Sequence, residues 1–156
     1  MGRDPLEIIR QAAMVLACGG KICIGATSMM DGRIFPDQIK QLCMLGEWYK
    51  PRKEYFINAA PVRYVWFRPL SVRLSSNNFD AVVSEYNEGL LLHLINRSSS
   101  REEVSIELCG SLWKSVSEVS LLPQKEKVTF QCNDSSLHMV IKPDQIDKVD
   151  TILYLT

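Results

Sequence analysis

The chain has 156 residues, 46% of them apolar, with 18 basic and 18 acidic side chains and a formal net charge of zero. That length suits one ordinary domain, or one domain with a small attached piece, and the apolar share is enough for a core. Charge balance removes the electrostatic case for nucleic acid or an anionic membrane surface, and no apolar run approaches the roughly 20 residues of a membrane span.

The first predicted element is a helix. Asp4 is placed to be the N-cap, Pro5 fills the first helical position and Glu7 completes a capping box. Ile8, Ile9, Ala12, Ala13, Leu16 and Ala17 form one wide apolar stripe. Gly19-Gly20 ends the helix, because glycine reaches the left-handed conformation of a C-cap. Glu7 and Arg10 interrupt what would be the apolar region of a secretory leader, so the segment does not read as a signal peptide.

Residues 21–26 (Lys-Ile-Cys-Ile-Gly-Ala) predict a short strand buried on both faces. A loop with an Asp31-Gly32 turn signal follows. Pro36 opens a second helix, whose buried side draws on Ile39, Leu42, Leu45 and Trp48, and Pro51 stops or kinks it. Residues 52–57 predict one further turn.

Near residues 58–62 the period changes from helical to alternating. Strands are predicted at 62–68, 79–86, 90–96, 104–108, 116–122, 127–132, 137–141 and 151–155, with a tight turn at Glu88-Gly89. About eight strands at 8–12-residue spacing is the pattern of an all-β sandwich. The fold class is therefore α+β, mainly β: an antiparallel β-sandwich over residues 59–156, preceded by a helix–strand–helix segment over residues 1–58.

Few residues suggest chemistry. The five cysteines (Cys18, Cys23, Cys43, Cys109, Cys132) are odd in number and lack CxxC spacing, so they read as small buried hydrophobes of a reducing, cytoplasmic compartment. The two histidines, His93 and His138, lie far from the cysteines in sequence, which argues against a structural zinc, and no cofactor is implied. His93, between Leu92 and Leu94, reads as a buried, hydrogen-bonded side chain. Asp31 and Arg33 flank Gly32 where α/β proteins place functional loops, though ordinary turn chemistry explains them better. Acidic residues of the second half, Asp144, Asp147 and Asp150 among them, read as surface charge, and no two form an evident carboxylate pair. Trp113, in a loop-like stretch, is the one candidate platform for stacking on a sugar; Trp48 and Trp66 fit core patterns. Asn96-Arg97-Ser98 and Asn133-Asp134-Ser135 match the N-glycosylation sequon, which matters only for a secreted chain.

Two stretches carry a resemblance. The first runs from Ala12 to Tyr49, through Gly19-Gly20-Lys21-Ile22-Cys23-Ile24-Gly25 and Asp31-Gly32-Arg33-Ile34-Phe35-Pro36 to Leu45-Gly46-Glu47-Trp48. It resembles the end of the catalytic (β/α)8 barrel of α-L-fucosidase-like glycoside hydrolases. The second includes Leu91-Leu92-His93-Leu94-Ile95-Asn96, Val119-Ser120-Leu121-Leu122-Pro123 and Asp150-Thr151-Ile152-Leu153-Tyr154-Leu155, and is similar to the C-terminal β-sandwich of the same group.

The resemblance implies a C-terminal segment of a carbohydrate-active enzyme. Roughly 200 to 250 further barrel residues would stand upstream in a full enzyme, and the nucleophile and acid/base belong to that part. No residue here matches them, so no catalytic residue is assigned and the chain alone is expected to be inactive. An extra α/β domain, similar to a β-galactosidase trimerisation domain, separates barrel and sandwich in some relatives; only about thirty residues separate the two similar stretches here. The implied partner, through residues 1–58, is a catalytic barrel or a second copy. The alternative is a stand-alone β-sandwich module that binds carbohydrate or protein. Either way, Ile8, Leu16, Ile22 and Ile24 must pack on the sandwich or form an exposed patch.

Overall fold

The computed structural model describes residues 5–62 and 71–156. The predicted cap at Asp4 and most of the strand predicted over 62–68, with Trp66, lie outside the described residues.

Helix α1 spans Pro5–Ala17 and buries Ile9, Ala12, Ala13 and Ala17, the inner half of the predicted stripe. It ends as the double glycine requires. Gly19 adopts φ 75°, its N–H donates to Leu16 O, and the Gly20 N–H donates to Val15 O. A Cβ on Gly19 would also stand 2.6 Å from the Pro61 ring, so glycine is demanded there by space as well as by conformation.

Helix α2 (Pro36–Tyr49) begins on its proline, passes through a 3-10 turn at Lys50–Arg52, and is followed by α3 (Lys53–Ile57). Between α1 and α2 the buried strand predicted over 21–26 is not formed. Residues 18–35 hold only one isolated bridge, Ser28 to Ile34, around a turn in which the Met29 N–H donates to Arg33 O. Ile22 and Ile24 are 36% and 40% exposed. A strand buried on both faces needs a hydrogen-bonded neighbour and a cover on each side, and no other described strand of this chain pairs with this segment.

The β elements are β1 (Ala60–Pro61), β2 (Ser71–Leu74), β3 (Phe79–Tyr86), β4 (Gly89–Asn96), β5 (Val104–Cys109), β6 (Val119–Leu122), β7 (Glu126–Lys127), β8 (Phe130–Cys132), β9 (Ser136–Ile141) and β10 (Asp150–Leu155). They form two sheets, ordered β1-β3-β4-β10-β6-β7 and β2-β5-β9-β8, and every pairing is antiparallel. The predicted strand over 127–132 is divided: β7 pairs with β6 in one sheet and β8 with β9 in the other. Val128, buried between the two pieces, marks the crossing. In the β3–β4 hairpin the turn falls on Asn87-Glu88, one residue before the predicted position, with Asn87 at φ 51°. Gly89 itself answers a different need, since a Cβ there would lie 2.3 Å from Leu155 O.

The main core lies between the sheets. It joins Leu92 and Leu94 of β4, Ile106 and Leu108 of β5, Leu137 and Ile141 of β9, and Leu153 and Leu155 of β10. The opposite face of β4 is also covered. Ile95 packs with Ile9 and Ala13 of α1, while Leu91 packs with Tyr55 of α3 and Ile152 of β10. The helices thus form a third layer on the larger sheet, which explains why β4 reads as continuously apolar rather than alternating. Each such aliphatic side chain, fully buried, contributes about 1.5–3 kcal/mol relative to exposure.

The cysteines depart from expectation. All five are free, but Cys18, Cys23, Cys43 and Cys132 are exposed and Cys109 is partly covered. Three of them, Cys18, Cys23 and Cys43, lie on α2 or in the segments that flank α1 and α2. No helix among the described residues is long and apolar enough to cross a membrane.

Candidate functional site

Polar side chains converge where the helical layer meets the larger sheet. His93 on β4 and Asp150 on β10 stand on the helix-facing side, and both are fully buried, with His93 Nδ1 2.9 Å from Asp150 Oδ2. Phe56 of α3 stacks on the imidazole, centroids 5.1 Å apart and planes 23° from parallel. His93 Nε2 and Asp150 Oδ1 have no hydrogen-bond partner among the described residues. The expectation of a buried, hydrogen-bonded His93 is met. Asp150 departs from the surface-charge reading. It shares a strand face with Ile152 and Tyr154, a period-two signal that would have placed it inside.

Beside this pair, Arg52 is held by three contacts. Its guanidinium donates to Trp48 O (3.0 Å) and to Asp147 Oδ2 (2.8 Å), and lies over the Trp48 ring, 5.4 Å from its centroid. Asp147 Oδ1 accepts from the backbone N–H groups of Val149 and Asp150, and the Asp147 N–H donates to Thr151 Oγ1. Asp147 is therefore a loop-building side chain that also anchors the 3-10 turn to the sheet. Between these groups opens a cleft of about 180 Å³, walled by Arg52, Leu122, Asp144, Asp147, Asp150 and Thr151 among others. None of the groupings of His, Cys, Asp and Glu among the described residues suits a metal ion.

The other candidates are placed elsewhere. Trp113 lies in a 3-10 turn, Ser111–Ser115, and its side chain is 0% exposed within the main core. It presents no face for stacking on a sugar. The loop prediction located the turn correctly but missed that it folds inward over the end of the sandwich. Asp31 and Arg33 pair with each other in an exposed turn, 2.8 Å from Arg33 Nε to Asp31 Oδ2. The Arg33 hydrogen bonds hold the Asp31 carboxyl below its usual range, and Gly32 adopts φ 82°, so this is turn chemistry. His138 hydrogen-bonds Ser136 on the smaller sheet, remote in the fold from the cleft. Asn96 of the first sequon is fully buried. Its Nδ2 donates to Ser100 O and Asp147 O, and its Oδ1 accepts from Ser98 and Ser100, leaving no amide free for a glycan. Asn133 of the second is exposed.

A tyrosine cluster borders the site. Tyr55 meets Tyr86 edge-on at 5.8 Å, and Tyr86 meets Tyr154 at 5.6 Å. Burial, with a smaller contribution from Glu54, pushes the Tyr55 phenol up to about 12. The unfolded phenol titrates near 10, so the protonated form is bound more tightly in the folded chain. Its stabilisation is intact below about pH 10 and is lost as pH rises through the folded value. Tyr55→Phe should accordingly flatten the alkaline limb of a stability–pH curve, measured by urea unfolding at stepped pH; an unchanged limb would show that Tyr55 ionisation plays no part in it.

No protein-family model matches the sequence, and no curated protein sequence matches it. Solved structures do match. An α-fucosidase from Thermotoga maritima in complex with fucose superposes with a TM-score of 0.73 at 14% identity, over 98% of this chain and 34% of that one. The α-L-fucosidase isoenzyme 1 from Paenibacillus thiaminolyticus gives 0.68 at 15% identity, over 99% and 34%. A GH29 α-L-fucosidase from Bacteroides thetaiotaomicron gives 0.69 at 15%, over 100% and 33%.

The chain shares its fold with one part of the α-L-fucosidases. It spans about a third of the length of each of these enzymes. At these identities the likeness is one of architecture, and the helical layer is included in it because coverage of this chain is nearly complete.

Proposed function

We propose that the chain is a non-catalytic C-terminal segment of an α-L-fucosidase-like glycoside hydrolase, whose helical part supports a catalytic barrel or an oligomer. The observation that carries this reading is the asymmetry of the structural match: nearly all of this chain superposes on about a third of each fucosidase. The exposed surface agrees with it. Ile22, Ile24, Met30, Ile34, Phe35 and Ile39 all present apolar area to solvent around the segment between α1 and α2. Covering such a side chain completely stabilises by roughly 1.5–3 kcal/mol, so a partner that fits this surface has ample driving force. The two-sheet core, by contrast, is closed within the chain. The same apolar segment also suits a free-standing module that binds another protein.

The test is turnover by the purified chain on aryl α-L-fucosides and aryl galactosides. No hydrolysis above the uncatalysed rate is expected. Robust turnover that survives repurification would overturn the non-catalytic reading.

A further inference from the structure

The fold treats the two N-x-Ser sequons in opposite ways. Asn96 of the first ends β4 and is 0% exposed. Its side chain is spent on hydrogen bonds to Ser98, Ser100 and Asp147, so a glycan there would dismantle the loop that Asn96 organises. Asn133 of the second lies in the β8–β9 hairpin, at the edge of the smaller sheet. Asn133, Asp134 and Ser135 form the loop between the two strands, and all of them are exposed. Main-chain bonds hold this loop. The Asn133 N–H donates to Ser136 O (2.8 Å), and the Gly110 N–H donates to Ser135 O (2.8 Å). Modification of the Asn133 side chain therefore leaves the turn intact.

A sequon accepts a glycan only where the asparagine amide and the hydroxyl two residues on are both open to a transferase, and where the residue between them is not proline. Residues 133–135 meet these conditions, and residues 96–98 do not once the chain is folded. The donor chemistry is that of an oligosaccharide carried on a lipid pyrophosphate. Asn133 Nδ2 forms a bond to C1 of the first sugar, the bond from C1 to the pyrophosphate oxygen breaks, the pyrophosphate leaves with the electron pair, and the amide gives up one N–H proton.

The position also suits a bulky group. The smaller sheet packs on one face of the larger sheet and the helices on the other. A glycan on Asn133 and a partner on the segment between α1 and α2 would thus occupy opposite sides of the molecule. The glycan would stand beside β8, the outermost strand of the smaller sheet, where hydrophilic cover deters pairing with another chain.

We propose that Asn133 is the N-glycan acceptor of this chain, and that Asn96 is excluded by the fold, wherever the chain meets an oligosaccharyltransferase. The assignment is independent of the hydrolase reading, since it needs only the sequon and the fold around it.

The experiment is cell-free translation of the full chain behind a cleavable secretory leader, with endoplasmic-reticulum microsomes. Folded product is collected after detergent release as the species that resists limited trypsin digestion, with unglycosylated chain purified from a bacterial cytoplasm as the standard. The expected result is one endoglycosidase-sensitive step in gel mobility for the folded parent, lost completely in Asn133→Gln and again in Ser135→Ala. Ser98→Ala removes the first sequon yet keeps the Asn96 side chain and its hydrogen bonds, and should leave the step unchanged. Three results would overturn the proposal: folded parent with no such step, a step that persists in Asn133→Gln, or a step that Ser98→Ala abolishes.

Discussion

Asp150→Ala is expected to destabilise the chain by about 2–3 kcal/mol, the usual consequence of leaving a buried polar group, here His93 Nδ1, without its hydrogen-bond partner. Asp150 and His93 are both fully buried on the helix-facing side of the larger sheet, with Phe56 closing over the imidazole. Neither side chain can turn to water when its partner is lost. His93→Ala should be comparably damaging, because it strands the carboxylate and also removes the ring on which Phe56 stacks. The double variant His93→Leu/Asp150→Leu separates the pair's polarity from its volume. A well-packed apolar replacement of a buried pair is often neutral or stabilising, so the double variant should recover most of the loss. Urea unfolding of the three variants measures this. Single variants within about 1 kcal/mol of the parent would mean that the pair contributes little to the fold.

Trp113→Ala is the second large effect, about 3–5 kcal/mol, through loss of the buried ring and the cavity it leaves. Trp113 is among the largest fully buried side chains and sits in the main core with residues of both sheets. Gly110, at φ 133°, sets the direction of the turn that delivers it. The indole N–H is buried without a partner among the described residues. Trp113→Phe therefore removes an unmet donor while it opens a smaller cavity, and should be much milder than the alanine variant. Equal losses for phenylalanine and alanine would show that the indole bicycle, rather than ring burial in general, is what the core requires.

How far the sequence foretold this molecule depends on which forces were local. The α1 stripe, the double-glycine stop and the proline at the start of α2 are properties of a few adjacent residues, and all three appear as expected. The alternation of Val104, Ile106 and Leu108 likewise gave β5 its inward face. Three features required partners that adjacency does not reveal. Ile22 and Ile24 look like a buried strand only if neighbours exist to pair with it. Trp113 looks like a surface residue until its turn is seen to fold over the end of the sandwich. The cysteines look buried by residue type, yet four of the five are exposed, most of them in the helical part of the chain. The site followed the same division. His93 was legible because it stands between Leu92 and Leu94 in a continuously apolar strand. Arg52, far away in sequence, gave no local sign that it would meet Asp147 and the cleft.

The order of strands in the larger sheet has a consequence for how the chain matures. β4 and β6 are separated by β10, which hydrogen-bonds to both and joins the two halves of the sheet. Until residues 150–155 have left the ribosome, β3–β4 can form a hairpin and β6–β7 a second one, but nothing joins them. Leu92 and Leu94 then have their sheet neighbour missing on one side. Synthesis proceeds at about 5–20 residues per second, so the nascent chain spends seconds with an open, apolar strand edge at its middle. Nonsense or frameshift lesions as late as residue 149 would leave that gap permanent. Such products should be chaperone-bound or degraded rather than merely weakened, even though more than nine-tenths of the sequence is present.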